Sequence, residues 1–280
     1  MKIPNVGYHL ARTQARAVRA AYAAALPAIV SRGLKNTSTL SFNVCSYSGR
    51  AMLPEQIASI RSLLRHAGRP NRFVVFSDGT HSEKEIELLR RIDHCVEVRP
   101  VPRSDAFTGD MRAYLEHHPT GRQLALMMTL PLEEPTFYVD SDVLFFPGAT
   151  NADTLLSATA AAPALYLADC QLAADERLFL HPDERANPVN TGMIYFRRKL
   201  DWSIAVDRFR ELNGASIFHT NQTLTHLAMH ANGAAPLDPA KFVLQLDDQF
   251  IHRDLYARAD IVARHYVNPV RHKFWTALLR

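Results

Sequence analysis

Residues 136–146, TFYVDSDVLFF, constrain this chain more than any other segment. Aromatic and β-branched residues in such a run build a strand buried within a sheet. Yet Asp140 and Asp142 stand in its middle, where a bare carboxylate is expensive to desolvate. In an extended strand the side chains alternate, so both carboxylates would share one face. A local turn would instead aim them at different ligands. Either way two close carboxylates repel, and one is driven to hold its proton unless a cation neutralises the pair. A divalent ion removes that conflict, and hard Mg²⁺ or Mn²⁺ suits oxygen ligands combined with phosphates. Asp-x-Asp alone is common in surface turns; its apolar setting makes it informative here.

The flanking pattern supplies the fold class. Residues 41–47 (SFNVCSY), 72–76 (RFVVF) and 96–99 (VEVR) read as strands, and residues 57–64 and 82–92 between them read as amphipathic helices. Ser77-Asp78-Gly79 is a turn signature. A helix over 122–130, closed by Pro131, precedes the aspartate strand. Strands over 164–168 and 192–196 and a helix over 223–231 follow it. This alternation predicts an α/β fold, a sheet with helices on both faces. Ahead of it, the alanine-rich residues 11–32 read as a helix that ends or kinks near Pro27, with a turn at Gly33. Arg12, Arg16 and Arg19 interrupt the apolar core that a signal peptide needs. Such a helix either packs on the domain or rests on a membrane surface.

Composition narrows the classes. With 280 residues, 47% of them apolar, the chain can bury one large core. A net charge of +4 lacks the dense basic blocks of a dedicated nucleic-acid binder but suits anionic ligands or an anionic membrane surface. Cys45, Cys95 and Cys170 are odd in number and widely spaced, so they read as buried thiols in a reducing compartment rather than a disulfide framework or zinc knuckle. No apolar run is long enough for a bilayer span. Neither Gly-x-Gly-x-x-Gly after the first strand nor a Walker-type loop is present, which leaves a dinucleotide dehydrogenase or standard NTPase without support.

YVDSDVLFF, residues 138–146, resembles the signature of the GT-A glycosyltransferases, especially the family 8-like retaining enzymes that include bacterial lipopolysaccharide galactosyl- and glucosyltransferases and the glycogenins. Three later segments fit in order: VNTGMIYFRR (189–198) resembles the family's Asn-x-Gly strand, TNQTLTH (220–226) its Asp-Gln helix start, and ARHYVNPVRHKFW (263–275) its late His…Gly…Lys…Trp segment. The resemblance, which covers residues 41–275, implies a Rossmann-like mixed sheet. It also implies an N-terminal helical extension at 1–35 and a catalytic domain at 36–280, with a nucleotide-binding half at about 36–146 and an acceptor-side half at about 147–280. The implied reaction is metal-dependent hexose transfer with retention, from UDP-glucose or UDP-galactose to a hydroxyl of a glycan, lipid-linked glycan or other acceptor. Asp140, Asp142 and His265 would hold the metal. Arg271 or Lys273 would reach the diphosphate, Asn190 and Gly192 would line the sugar pocket, and Gln222 would sit near the reacting face. The chain departs from the family at Asn221, where an aspartate is usual, and at Asn268, which replaces a glycine. His265 to Lys273 is longer than the usual spacing, whereas Arg271 falls at the standard offset.

Further candidates come from position. Cys45, Ser46 and Tyr47 end the first strand, where open α/β sheets place ligands. Tyr47 offers a ring to stack on a base and Ser46 a hydroxyl to bond it, against ordinary turn packing. Asp78 ends the second strand in the same region. By the resemblance, Arg122 stands near where the family puts a basic residue before the aspartate strand, as a phosphate or donor contact, and Ser141 lies between the two carboxylates. Asp169, Asp247 and Asp248 are acidic residues that would face the acceptor or the sugar. Two rival readings use the same residues: a metal-dependent nucleotide-sugar hydrolase or nucleotidyltransferase, and a noncatalytic nucleotide-sugar-binding protein. The expected setting is cytoplasmic, with the inner membrane face as an option for peripheral contact.

Overall fold

The apolar strands form as expected, and their order sets the site. A computed structural model describes residues 5–157 and 161–279. Helices α1 (Val6–Ala24) and α2 (Leu26–Val30) open the chain, followed by β1 (Asn43–Ser48), α3 (Leu53–His66), β2 (Phe73–Ser77), α4 (Glu83–Arg90) and β3 (Val96–Pro100). Then come α5 (Gly109–His117), α6 (Pro119–Thr129), β4 (Thr136–Val139), β5 (Val143–Phe145), α7 (Ala152–Ser157), β6 (Ala164–Ala168) and β7 (Val189–Phe196). The chain continues through α8 (Ser203–Arg210), α9 (Thr220–Ala231), β8 (Ala235–Pro236), β9 (Phe242–Val243), β10 (Ala263–His265) and α10 (Lys273–Ala277).

A seven-stranded sheet has the order β3-β2-β1-β4-β7-β6-β8, and a three-stranded sheet has the order β5-β10-β9. Strands β1 to β4 run parallel where they pair, while β7 is antiparallel to both β4 and β6. Period-two alternation divides the core between the faces of the large sheet. Phe137 and Val139 join Val44, Phe73, Val75 and the α3 residues Ile57 and Ile60 on one face. Tyr138 joins Val74, Phe76, Leu126, Met127 and Met229 on the other, beneath α6 and α9. Helices therefore cover both faces, as the alternation of elements requires.

Three expectations need correction. The single strand over 136–146 is two strands in different sheets, and the aspartates lie in the turn between them. Asp140 N–H donates to Gly192 O at 2.8 Å, the last bond to β7, and Val143 N–H then turns back to Asp140 O at 3.2 Å. Pairing of β5 with β10 draws the chain away from the large sheet; His265 pairs with Val143 and Ala263 with Phe145. The N-terminal helix starts at Val6, ahead of residue 11, and breaks at Ala25, because Pro27 sits in the first turn of α2, where its missing N–H costs nothing. Cys45 and Cys95 are buried, but Cys170 is exposed just beyond β6. Among the described residues no helix is long and apolar enough to cross a membrane.

The segment after β9 is anchored by buried charge. Arg264 is fully buried; its guanidinium donates to Asp248 Oδ1 at 3.0 Å and also to Asp254. Tyr266 OH donates to Asp254 Oδ2 at 3.0 Å, and Lys273 Nζ donates to the carbonyls of Ile251 and Arg253 at 2.7 and 2.9 Å. Removing one member leaves the others desolvated without a partner, which is far worse than removing all of them. Arg264→Ala is expected to lower unfolding free energy by about 3–5 kcal/mol; chemical denaturation of both proteins measures it, and an unchanged midpoint would refute the anchoring role.

Candidate functional site

The turn and β10 assemble one polar cluster from residues remote in sequence. One ligand atom from each of Asp140, Asp142 and His265 lies within 4.8 Å of the others. His265 Nε2 is 3.1 Å from Asp142 Oδ1 and 3.5 Å from Asp140 Oδ2. Its other nitrogen, Nδ1, donates to Asn190 Oδ1 at 2.9 Å. The orientation of that amide is fixed, because Oδ1 also accepts Gly192 N–H at 2.9 Å and Nδ2 donates to Asp169 Oδ2 at 3.0 Å. The proton therefore sits on Nδ1, and Nε2 is left to face the carboxylates as a ligand does. Gly192 is obligatory beside it: a Cβ there would fall 2.0 Å from His265 Cε1. The glycine expected to admit a ligand instead admits the imidazole.

The charges of this cluster are unbalanced in a way that a cation would correct. Burial pushes Asp140 up to about 6, His265 opposing and Asp142 reinforcing the rise. Burial acts on Asp142 in the same direction, but the charges of His265 and Arg271 outweigh it and hold this carboxyl below its ordinary value. His265 is desolvated too, yet the two carboxylates lift it above the ordinary histidine range. Two carboxylate oxygens and an imidazole nitrogen with its second nitrogen pinned form a donor set suited to a divalent ion. Asp140, Asp142 and His265 thus make a cluster able to chelate one.

The basic residue at this cluster is Arg271, whose Nη2 donates to Asp142 Oδ2 at 2.6 Å. Lys273 is not there. It is wholly buried and its amine is consumed by backbone carbonyls beside Asp248, so the diphosphate role expected of it has no exposed group to perform it. Asp248 is likewise interior, bound to Arg264 rather than facing an acceptor. Asp247 accepts the Tyr256 hydroxyl at 2.7 Å.

Amides relay order to the cluster. Asp140 Oδ1 accepts Tyr138 OH at 2.6 Å and Gln123 Nε2 at 2.9 Å, and Gln123 Oε1 in turn accepts Asn221 Nδ2 at 2.8 Å. Asn221, expected at a sugar hydroxyl, spends its amide donor on Gln123. Gln222 Nε2 donates to Asp169 Oδ2 at 3.1 Å and to Ala173 O at 3.0 Å. Asp169 therefore joins Gln222 to Asn190. Gln123 and Tyr138 escape sequence reading, because one resembles any polar helix residue and the other any core aromatic. Ser141 is buried within the turn itself.

At the end of β1 the candidates separate. Cys45 is sunk in the core, its thiol pushed well up by burial, and Ser46 Oγ donates to Gln56 Oε1 at 3.0 Å. Both are inward-facing, so neither presents its group to a base. Tyr47, Asp78 and Arg122 do meet. Arg122 donates to Asp78 O at 2.9 Å and Glu116 O at 2.7 Å. Burial, then Asp78, raises the Tyr47 phenol, while Arg122 opposes the rise. Gly49 lies under Asp78, whose Oδ2 would be 2.0 Å from any Cβ at that position.

Neither a family model nor a curated protein sequence matches the chain. Solved structures do. Galactosyltransferase LgtC, solved with donor and acceptor sugar analogues, superposes with a TM-score of 0.56 at 12% identity over 85% of this chain and 95% of that one. Mouse xyloside xylosyltransferase 1 gives 0.54 at 14% identity over 83% and 99%. The glycosyltransferase GlyE of Streptococcus pneumoniae gives 0.54 at 12% identity over 86% of this chain and 61% of that one. At such identities the likeness establishes the architecture: the chain has the mixed α/β fold of the GT-A glycosyltransferases, with helices on both faces.

Asn190 holds the imidazole through a bond that a methyl group cannot replace. Asn190→Ala is expected to weaken Mn²⁺ binding about 10- to 100-fold while the circular dichroism spectrum stays native. Calorimetric titration with Mn²⁺ reads the change, and undiminished affinity would exclude this positioning role.

Proposed function

We propose that this protein is a metal-dependent glycosyltransferase that moves a hexose from a nucleoside-diphosphate sugar to an acceptor hydroxyl. The observation carrying the reading is the buried Asp140–Asp142–His265 cluster, oriented by Asn190 and flanked by Arg271, within a GT-A fold. A galactosyltransferase and a xylosyltransferase among the similar structures support it. UDP-glucose or UDP-galactose is the proposed donor, and a glycan or lipid-linked glycan the proposed acceptor.

Asp140, Asp142 and His265 would hold Mn²⁺ or Mg²⁺, which supplies Lewis-acid stabilisation to the charge that grows on a diphosphate leaving group. Arg271 presents a guanidinium beside the same carboxylates and adds charge-assisted hydrogen bonds to phosphate oxygens. On the other side, Asp169 holds the amides of Asn190 and Gln222, and Gln222 would stand near the reacting face of the sugar. Tyr47, Asp78 and Arg122 form the nucleoside end. The acceptor oxygen would bond to the anomeric carbon from the face the diphosphate leaves, as that carbon's bond to the phosphate oxygen breaks and the hydroxyl proton passes to the leaving diphosphate, so that the anomeric configuration is retained.

Asp142→Ala is expected to reduce Mn²⁺-dependent turnover by about 100- to 1,000-fold without unfolding the domain. The assay is binding of UDP, GDP and CDP sugars with and without Mn²⁺, followed by product analysis with and without an acceptor panel. Full activity of the variant would overturn the metal assignment. Release of free sugar at the same rate with or without acceptor would identify a hydrolase, and failure to bind any donor would end the proposal.

A further inference from the structure

A second group of cations lies beside Arg271, and it comes from the N-terminal helix. Arg12, Arg16 and Arg19 stand at i, i+4 and i+7 on α1 and, together with Arg271, line a cavity of about 430 Å³ between α1 and the C-terminal segment. Arg271 belongs to both places, since its guanidinium also reaches Asp142. Among the described residues Glu55 is the only acidic side chain in the wall. That carboxylate is already spent: Arg19 donates to both of its oxygens, at 2.5 and 3.0 Å, and Trp275 Nε1 donates to Oε1 at 3.2 Å. Arg12 donates to Tyr8 OH at 3.2 Å and lies 5.3 Å from that ring's centroid, which orients it without neutralising it. Arg16 is exposed and has no ion pair among the described residues.

Like charges four residues apart destabilise a helix, and α1 contains no acidic residue to offset them. The helix is nonetheless held firmly in place. Ala11 and Ala15 are buried against the body, Tyr8 meets His272 edge-on at 5.3 Å, and Tyr22 meets Trp275 at 5.2 Å. Arg19 also donates to Ala51 O at 2.7 Å, just beyond the end of β1, so α1 passes the ligand-bearing edge of the sheet. Guanidiniums lining a cavity that shares Arg271 with the candidate metal cluster match a multiply charged oxyanion.

We infer that the α1 face is a phosphate subsite: Arg12 and Arg16, opposite Arg271, bind diphosphate oxygens of the nucleoside-diphosphate ligand. The inference rests on the glycosyltransferase reading for the identity of that ligand, and on the cavity itself for its charge. The N-terminal helix is then a working part of the donor site.

The test measures binding of UDP, uridine and inorganic pyrophosphate, with Mn²⁺ present, to the full chain and to Arg16→Gln, Arg12→Gln and the double variant. Each single change is expected to weaken UDP and pyrophosphate about tenfold, to leave uridine unchanged, and to flatten the salt dependence. Thermal unfolding should stay equal or rise for Arg16→Gln, because a helix repulsion is removed. UDP binding indifferent to both arginines would overturn the subsite and leave the glycosyltransferase reading intact. Pyrophosphate bound through these arginines by a protein that ignores every nucleoside diphosphate would keep the subsite and overturn that reading.

Discussion

The repulsion between Asp140 and Asp142 organises much of this molecule. Two carboxylates separated by one residue and shielded from bulk water cannot both ionise unless positive charge or hydrogen-bond donors are brought to them. The fold supplies both from distant segments. His265 arrives on β10, Arg271 on the approach to α10, Tyr138 from β4 and Gln123 from α6. Two of these are themselves held, His265 by Asn190 and Gln123 by Asn221. The polar network is therefore largely satisfied while its Nε2 and carboxylate oxygens converge on one point, the condition for a metal centre set in place before the metal arrives.

The opposite solution appears a few residues away. Arg264, Lys273, Asp248 and Asp254 are buried charges that pair with one another and with nearby carbonyls, away from any ligand. Both networks draw on residues 264–273. The closed one fixes the backbone on either side of His265 and Arg271, and the open one uses that fixity to hold two functional side chains on a segment with little regular structure of its own.

This neighbouring arrangement shows what sequence can and cannot reveal. The aspartates, His265, Asn190 and Gln222 were legible because residue type, order and apolar setting agree with a known pattern. Strands β1 to β3 and their helices were legible because alternation in hydrophobicity is a local property. The break between β4 and β5 was not, since an apolar run looks the same whether it stays in one sheet or passes into another; pairing with β10 decides it. Spacing favoured Arg271 and residue type favoured Lys273, and only tertiary packing turns the lysine inward. Asn221 and Ser46 look like ligand contacts in sequence but bond to Gln123 and Gln56, partners no local pattern announces. Asp169 was visible as an acid, while its role as the joint between two amides depends on three segments meeting.

Gly192 and His265 occupy one another's space so closely that neither position has an independent history open to it. The candidate metal-ligand set also spans Asp140 to His265, and His265 enters by strand pairing with β5. During synthesis, the chain consequently carries two exposed, mutually repelling carboxylates for more than a hundred residues before their partner emerges. The site cannot be assembled piecemeal from a growing amino-terminal half. The three candidate ligands come together only when β10 docks against β5, so the cluster waits on a long-range contact.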